Sequence, residues 1–128
     1  MKTPHEIKRA LAVCCGSQEF YEHWSKALIY TEGVKLLVEL TDAYWLLDVV
    51  ASYQGKKLAE AVKRGFQIWL LRVDLVEQTA LITCVGSNEH GTEVLVEQAL
   101  EYTDFPLDRI ELWVELGERL TLQLPSEH

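Results

Sequence analysis

No stretch of this 128-residue sequence approaches the roughly 18 uncharged apolar residues that a membrane-spanning helix needs. The first residues also lack the apolar run ending in small side chains that marks an export signal. Cysteine is scarce: Cys14, Cys15 and Cys84 are odd in number and two of them are adjacent, which does not make a disulfide framework. We therefore expect no membrane contact and a location in the reducing cytoplasm.

Grouped metal ligands and phosphate-binding loops are missing too. The histidines at positions 5, 23, 90 and 128 and the cysteines show no CxxC, HxxxH or HExxH spacing. The glycines are isolated, and no serine stands in a G-x-S-x-G elbow. The sequence therefore predicts no metal and no other cofactor, identifies no catalytic residue and favours a protein that is not an enzyme.

Basic residues are almost absent from the second half of the chain. Residues 1–73 hold ten Lys or Arg against eight Asp or Glu, whereas residues 74–128 hold two against twelve. An acidic half repels phosphate backbones, which argues against direct nucleic-acid binding and favours attraction to a basic protein surface. Plain solubility is the alternative explanation, because solvated acidic faces are common.

Apolar residues, in contrast, are plentiful. They make up 48% of the chain, with four Trp, five Tyr and three Phe, which is too hydrophobic for disorder. This length predicts a single domain over residues 1–128. Helical patterns precede strand patterns, which predicts an α+β fold with N-terminal helices on one face of a mostly antiparallel sheet of about five strands. The helical half is expected at about residues 1–64 and the sheet half at about 66–124.

Helical periodicity dominates the first half. Thr3-Pro4-His5-Glu6 combines an N-cap, a proline at the first helical position and a capping-box glutamate, which predicts a helix to about Cys14. Residues 33–54 have helical apolar spacing that Thr41-Asp42 could divide, and the dense run 43–51 predicts the centre of the core. The other predicted elements are a helical turn at 17–24, a strand at 27–30 and a short helix at 58–64.

The apolar period changes after Gly65. Residues 66–73 and 79–85 are apolar runs that predict paired, buried strands. Alternation predicts another strand at 94–102, although glutamates at that spacing would also line one face of a helix. Residues 110–124 alternate on both sides of Gly117-Glu118, which predicts a terminal hairpin.

Asp48 interrupts the apolar run of the first half, where a buried carboxylate is costly unless it is paired. Tyr44, Asp48 and Ser52 would share one face of a helix and form a polar seam. The seam is either a structural anchor or the pocket of a small-molecule binding protein or weak hydrolase. His23 would make an acid–base dyad with Asp48 if the fold brought them together, and is otherwise a surface or interface histidine beside a core Trp24.

The glutamates of the second half predict an interaction face. If residues 93–101 and 109–116 pair antiparallel, one side of the sheet carries apolar residues within a rim of carboxylates, as many protein interfaces do. The alternative is that a helix, or the other end of the fold, covers Trp113. The residues of the predicted face are Leu95, Glu97, Glu101, Glu111, Trp113 and Glu115.

Several motifs resemble a family of short, uncharacterised prokaryotic proteins found in cyanobacteria and on mobile elements. The matching motifs are YTEGVK at residues 30–35, AYWLLD at 43–48 and YTDFPL at 102–107. The resemblance covers most of the chain from about Phe20 and carries over no catalytic residue. By analogy with small acidic proteins of mobile elements, it implies an inhibitor or decoy that acts on host machinery.

Two functional hypotheses follow from these patterns. The first is a non-enzymatic interaction module whose acidic sheet face binds a basic protein partner or self-associates as a homodimer. The second is a small-molecule binding protein or weak hydrolase that uses the polar seam, with His23 added. The hypotheses differ in whether Asp48 lines a cavity and whether Trp113 is covered.

Overall fold

The computed structural model describes residues 3–12, 19–54, 65–88, 91–116 and 120–127. Within these residues the chain forms three α-helices, one short 3-10 helix and a seven-stranded, mostly antiparallel sheet. The predicted α+β class and the N-terminal helices are confirmed. The sheet has seven strands rather than about five, because two short strands lie in the half that was expected to be helical.

The strand order in the sheet is β1-β2-β7-β6-β3-β4-β5. Of the strand pairs described, β2 with β7 is parallel and the others are antiparallel. The helices are α1 (Pro4–Ala12), α2 (Glu32–Thr41) and α3 (Tyr44–Ser52), and the 3-10 helix is Pro125–Glu127. The strands are β1 (Phe20–Glu22), β2 (Ile29–Thr31), β3 (Gly65–Asp74), β4 (Thr79–Asn88), β5 (Gly91–Leu100), β6 (Arg109–Leu116) and β7 (Leu120–Gln123).

Local sequence signals explain where the helices begin and end. The Thr3 hydroxyl accepts a hydrogen bond from the Glu6 amide at 3.2 Å, as a capping box requires. Thr31 caps α2 in the same way, through the amide of Val34. Asp42 then adopts a left-handed conformation with φ of 53°, which ends α2 at the predicted break.

Some predicted elements differ from those observed. Residues 20–22, expected in a helical turn, form β1 because they pair antiparallel with β2 from Phe20↔Thr31 to Glu22↔Ile29. The expected helix at 58–64, the C-terminal end of the first helix at Cys14 and the turn at Gly117-Glu118 lie outside the described residues.

One face of the sheet packs against the helices. Side chains alternate along β3, so that Trp69, Leu71 and Val73 are buried on this face while their neighbours in the strand are not. These residues join a single buried cluster that includes side chains of all three helices. The helical members are Ile7, Leu11, Val34, Leu37, Val38, Leu46, Leu47, Val50 and Ala51.

The expected pairing of residues 93–101 with 109–116 is wrong. The β3–β4 hairpin lies between these segments, because β6 pairs with β3 and β5 pairs with β4. The β4–β5 ladder also has a register shift between Cys84 and Val85. Leu95 lies beside this irregularity and packs against the core cluster, so it is not exposed beside Trp113 as the sequence suggested.

Candidate functional site

The sheet has a second face, which points away from the helical cluster. Directly paired residues on adjacent strands point to the same side of a sheet, so the strand register lays out this face in rows. Gln123, Trp113, Ile68, Val85 and Val94 form the first row. Glu111, Leu70, Thr83 and Glu97 form the second row, and Arg109, Arg72, Leu81 and Ala99 form the third. We call these three rows, together with Glu115, the second face.

Large apolar side chains occupy the middle of the second face. Ile68, Leu70, Leu81 and Val85 are half-buried, and none of them belongs to the helical cluster on the opposite side. Val94 is 61% exposed. An antiparallel sheet that faces water on one side usually carries polar residues there. β3 departs from that rule because both of its faces are apolar.

The charges on the second face are of both signs. Arg72 pairs directly with Arg109, and these two exposed arginines occupy one end of the face. Glu111 lies in the middle row, where its carboxylate accepts a 2.9 Å hydrogen bond from the Trp113 indole. Glu115 lies beyond Trp113, at the other end of β6, and accepts a 2.8 Å hydrogen bond from the Gln123 amide.

The second face therefore brings together most of the residues of the predicted interaction face. Glu97, Glu111, Trp113 and Glu115 share it, whereas Leu95 packs on the core and Glu101 follows the end of β5. Sequence reasoning missed the two arginines of the third row. Strand alternation could have identified Arg109, because Arg109, Glu111 and Trp113 are alternate residues of one strand and so point to the same face.

A second group of polar residues joins the loop after β1 to helix α3. His23 is 4% exposed, and its Nε2 atom lies 2.7 Å from Oδ1 of Asp48. The Trp24 indole donates to the same oxygen at 2.9 Å. On the other side of the ring, Nδ1 lies 2.7 Å from the Ser25 hydroxyl. We call His23, Trp24, Ser25 and Asp48 the His23 cluster.

The hydrogen bonds determine which ring nitrogen of His23 carries the proton. The Ser25 amide lies 3.2 Å from Nδ1, and an N–H group can only donate, so Nδ1 accepts through its lone pair. The proton of the neutral ring is then on Nε2, which donates it to Asp48. The unprotonated Nδ1 therefore faces the Ser25 hydroxyl.

Asp48 is not buried, contrary to the expectation from its apolar neighbours. Its side chain is 53% exposed, because α3 turns this position toward solvent while Leu47 and Val50 face the core. Hydrogen bonds from the Trp24 indole and from His23 hold the pKa of Asp48 below its ordinary value. The carboxylate is thus a stable, solvent-accessible hydrogen-bond acceptor.

A comparison with known protein families identifies a family for this chain. The model of the family described as "Family of unknown function (DUF6876)" matches residues 5–128. The chain belongs to this family. No curated protein and no solved structure matches the chain at a significant level. Membership of DUF6876 agrees with the resemblance to uncharacterised proteins and assigns no activity.

The rest of the predicted polar seam does not join the His23 cluster in this DUF6876 member. Tyr44 is exposed, and the Ser52 hydroxyl donates to the carbonyl of Val49 on its own helix at 2.7 Å. A groove of about 520 Å³ lies elsewhere, between α1 and residues 107–111 and 124–126. Asp48 is not among the residues that line it.

The described part of the DUF6876 chain holds no group of three His, Cys, Asp or Glu residues that could bind a metal ion. None of its helices is long and apolar enough to cross a membrane. Cys84 is buried among the strands, and this burial raises the pKa of its thiol to about 12. A thiol that stays protonated is a poor nucleophile.

Proposed function

We propose that this DUF6876 protein is an interaction module that pairs with a second copy of itself through the second face. The observation that carries the proposal is the row Trp113–Ile68–Val85–Val94, which is apolar over four adjacent strands on the side away from the helices. Contiguous apolar surface with a charged rim is characteristic of protein interfaces. The proposal assigns no catalysis to this surface.

The distribution of charge favours a second copy over a uniformly basic partner. Arg72 and Arg109 lie at one end of the second face and Glu115 lies toward the other. A basic partner that covered the whole face would set its positive charge against both arginines. The second face carries positive charge at one end and negative charge at the other, so a second copy can present the opposite charge to each end.

A specific two-fold arrangement satisfies these charges. An axis between the two sheets that runs across the strands places the Arg109 end of one β6 against the Glu115 end of the other. The midpoint of these two residues is Leu112, so the first row of one copy lies against the second row of the other. Ile68 then faces Leu70 of the second copy. Trp113 of each copy then lies against Glu111 of the other, and Arg109 and Glu115 pair at the two ends.

The molar mass in solution tests the proposal. Light scattering across a protein concentration series should give a dimer for the wild-type chain. Val94→Glu should give a monomer, because it puts a carboxylate in the apolar row without touching the core. Val76→Glu is the matched control, since Val76 is an 89% exposed valine in the β3–β4 turn and should leave the dimer intact. A wild-type mass that stays monomeric at high micromolar concentration would contradict the proposal.

A basic protein remains the alternative occupant of the second face. If a basic protein is the occupant, the isolated wild-type chain should be monomeric and should bind that protein through its glutamates. Its signature would be loss of binding on Glu97→Gln and Glu111→Gln, together with release by salt. If the chain instead self-associates through Arg109 and Glu115, a double variant that reverses both charges should still form the dimer.

A further inference from the structure

We propose that Ser25 is a nucleophile, activated by His23, that accepts acyl groups from small aryl esters. This activity goes beyond the proposed interaction and does not depend on the second face. A nucleophilic serine needs a base within hydrogen-bond reach and a third group that orients the base. Ser25, His23 and Asp48 meet both requirements, at 2.7 Å for each of the two contacts.

The protonation pattern of the His23 cluster suits this role. Nδ1 is the unprotonated nitrogen and lies against the Ser25 hydroxyl, so it can take the hydroxyl proton. Nε2–H donates to Asp48, which fixes the ring and stabilises the positive charge that forms on it. Asp48 acts through His23 and is therefore a positioning residue.

Ser25 and His23 differ in their exposure to solvent. Ser25 is exposed, so an ester can reach its oxygen, whereas His23 is almost entirely buried. The amide of Ala27 donates to the Ser25 oxygen at 3.2 Å and holds the side chain in the loop. The hydroxyl is thus held against the base in the absence of any ligand.

The chemical steps balance with water as the only co-reactant. The Ser25 oxygen forms a bond to the acyl carbon and its proton passes to Nδ1 of His23. The bond from the acyl carbon to the aryl oxygen breaks, and the leaving phenolate takes the proton from Nδ1. Water then attacks the acyl-serine and gives a proton to Nδ1. The carboxylic acid leaves, and the Ser25 oxygen recovers that proton.

Two features of the loop limit the substrate. Trp24 is 80% exposed, and its ring lies 5.2 Å from the His23 ring, which offers an apolar plane for an aryl group beside Ser25. The amide of Lys26 already donates to the His23 carbonyl, and that of Ala27 to Ser25, so neither is free to bind an oxyanion. An absent oxyanion donor costs about 10²–10³ in rate. We therefore expect reaction only with esters that have good leaving groups, and slow deacylation.

The test compares two serines in the same wild-type chain. An alkyl fluorophosphonate loses fluoride to an activated serine, and peptide mass spectrometry locates the label. Ser52 is the internal control, because it is exposed and its hydroxyl donates to a backbone carbonyl rather than to a base. Ser25 should be labelled about 10²-fold faster than Ser52, which is the lower range for general-base assistance. Equal labelling of Ser25 and Ser52 would overturn the proposal without any variant.

Variants assign the roles within the His23 cluster. With 4-nitrophenyl acetate, the wild-type chain should release one equivalent of nitrophenolate in a burst, and Ser25→Ala should release none. Asp48→Asn should slow labelling of Ser25, and Asp48→Glu should restore part of the rate. A merely structural Asp48 would change the unfolding midpoint in both variants without changing the labelling rate of the folded protein, and that result would remove Asp48 from the mechanism. Labelling of Ser25 that persists in a folded His23→Gln variant would likewise overturn the proposal.

Discussion

Gly33 lies against the carboxylate of Glu127, which occupies the space that a side chain at position 33 would need. The Gly33 amide donates to this carboxylate at 3.2 Å, and the Thr31 hydroxyl donates to it at 2.6 Å. Glu127 thereby places a negative charge at the N-terminus of α2, where the helix dipole favours it. The contact ties the last described residues of the chain to a helix almost a hundred positions earlier.

Gly33→Ala should destabilise the protein, although glycine-to-alanine changes in helices usually stabilise by about 1 kcal/mol. A Cβ atom at position 33 would lie 2.5 Å from the Glu127 carboxylate oxygen and 2.8 Å from Leu124 Cδ1. Glu127 must then give up its hydrogen bonds, so we expect a net loss of about 1–3 kcal/mol in urea unfolding. In a Glu127→Ala background the same change should cost much less. If Gly33→Ala lowers the free energy of unfolding equally in both backgrounds, the contact with Glu127 does not explain the loss.

Asp48→Ala should destabilise the protein more than Glu97→Ala. Removing the carboxylate leaves the Nε2–H group of the buried His23 without its partner, which costs about 1 kcal/mol because solvent can partly replace an exposed acceptor. Glu97 is exposed on the second face, so its truncation should stay within about 0.5 kcal/mol. Urea midpoints measured side by side decide this, and coincident midpoints would show that the Asp48 contact contributes nothing.

Acid should remove the contribution of Asp48. Its pKa in the folded protein is lowered, so the unfolded chain binds a proton at higher pH than the folded one does. The contribution is complete above the unfolded pKa of about 3.9 and is lost as the pH falls through the lower, folded value. The stability difference between the wild-type chain and Asp48→Asn should therefore shrink as the pH falls below about 4. A difference that grows below this pH would contradict a lowered pKa for Asp48.

The His23–Asp48 contact illustrates how far the sequence could predict the site. Apolar spacing predicted α3, and Asp48 is the lone carboxylate in that apolar run. The partner lies 25 positions away, across a loop, strand β2 and helix α2. The parallel pairing of β2 with β7 is not a local property of the sequence. The sequence named His23 as a partner for Asp48 only if the fold brought the two together. Helical spacing grouped Asp48 with Tyr44 and Ser52 as well, and these two do not contribute to the cluster.

In the sheet, the sequence predicted which way side chains face but not which strands are neighbours. Alternation correctly predicted that Leu112 and Val114 face the core, because side-chain direction along a strand is a local property. Strand neighbours are not local, so the pairing of β6 with β3 rather than β5 was missed. The register shift near Val85 also has no clear sequence signal, and it accompanies the packing of Leu95 on the core.

Reversing the charges at the two ends of β6 should test the proposed dimer geometry. Arg109→Glu alone sets a glutamate against Glu115 of the second copy and should weaken the dimer about tenfold, since two symmetric surface pairs are lost. Glu115→Arg alone should weaken it similarly. The double variant restores opposite charges and should recover most of the affinity by analytical ultracentrifugation. If the double variant loses as much dimer affinity as the two single variants combined, Arg109 and Glu115 do not pair across the interface.

Trp113 and Leu112 are adjacent in β6 but lie on opposite faces, so the same substitution should have opposite effects. Trp113→Glu puts a carboxylate on the second face, where Trp113 is half-buried opposite Ile68, and should convert the dimer to a folded monomer. Leu112→Glu buries an unpaired charge opposite Trp69 in the core and should prevent folding. Circular dichroism and molar mass measured together distinguish the two results. An unfolded Trp113→Glu would mean that this indole is needed within the monomer, whereas a folded variant with unchanged dimer mass would move the interface away from the second face.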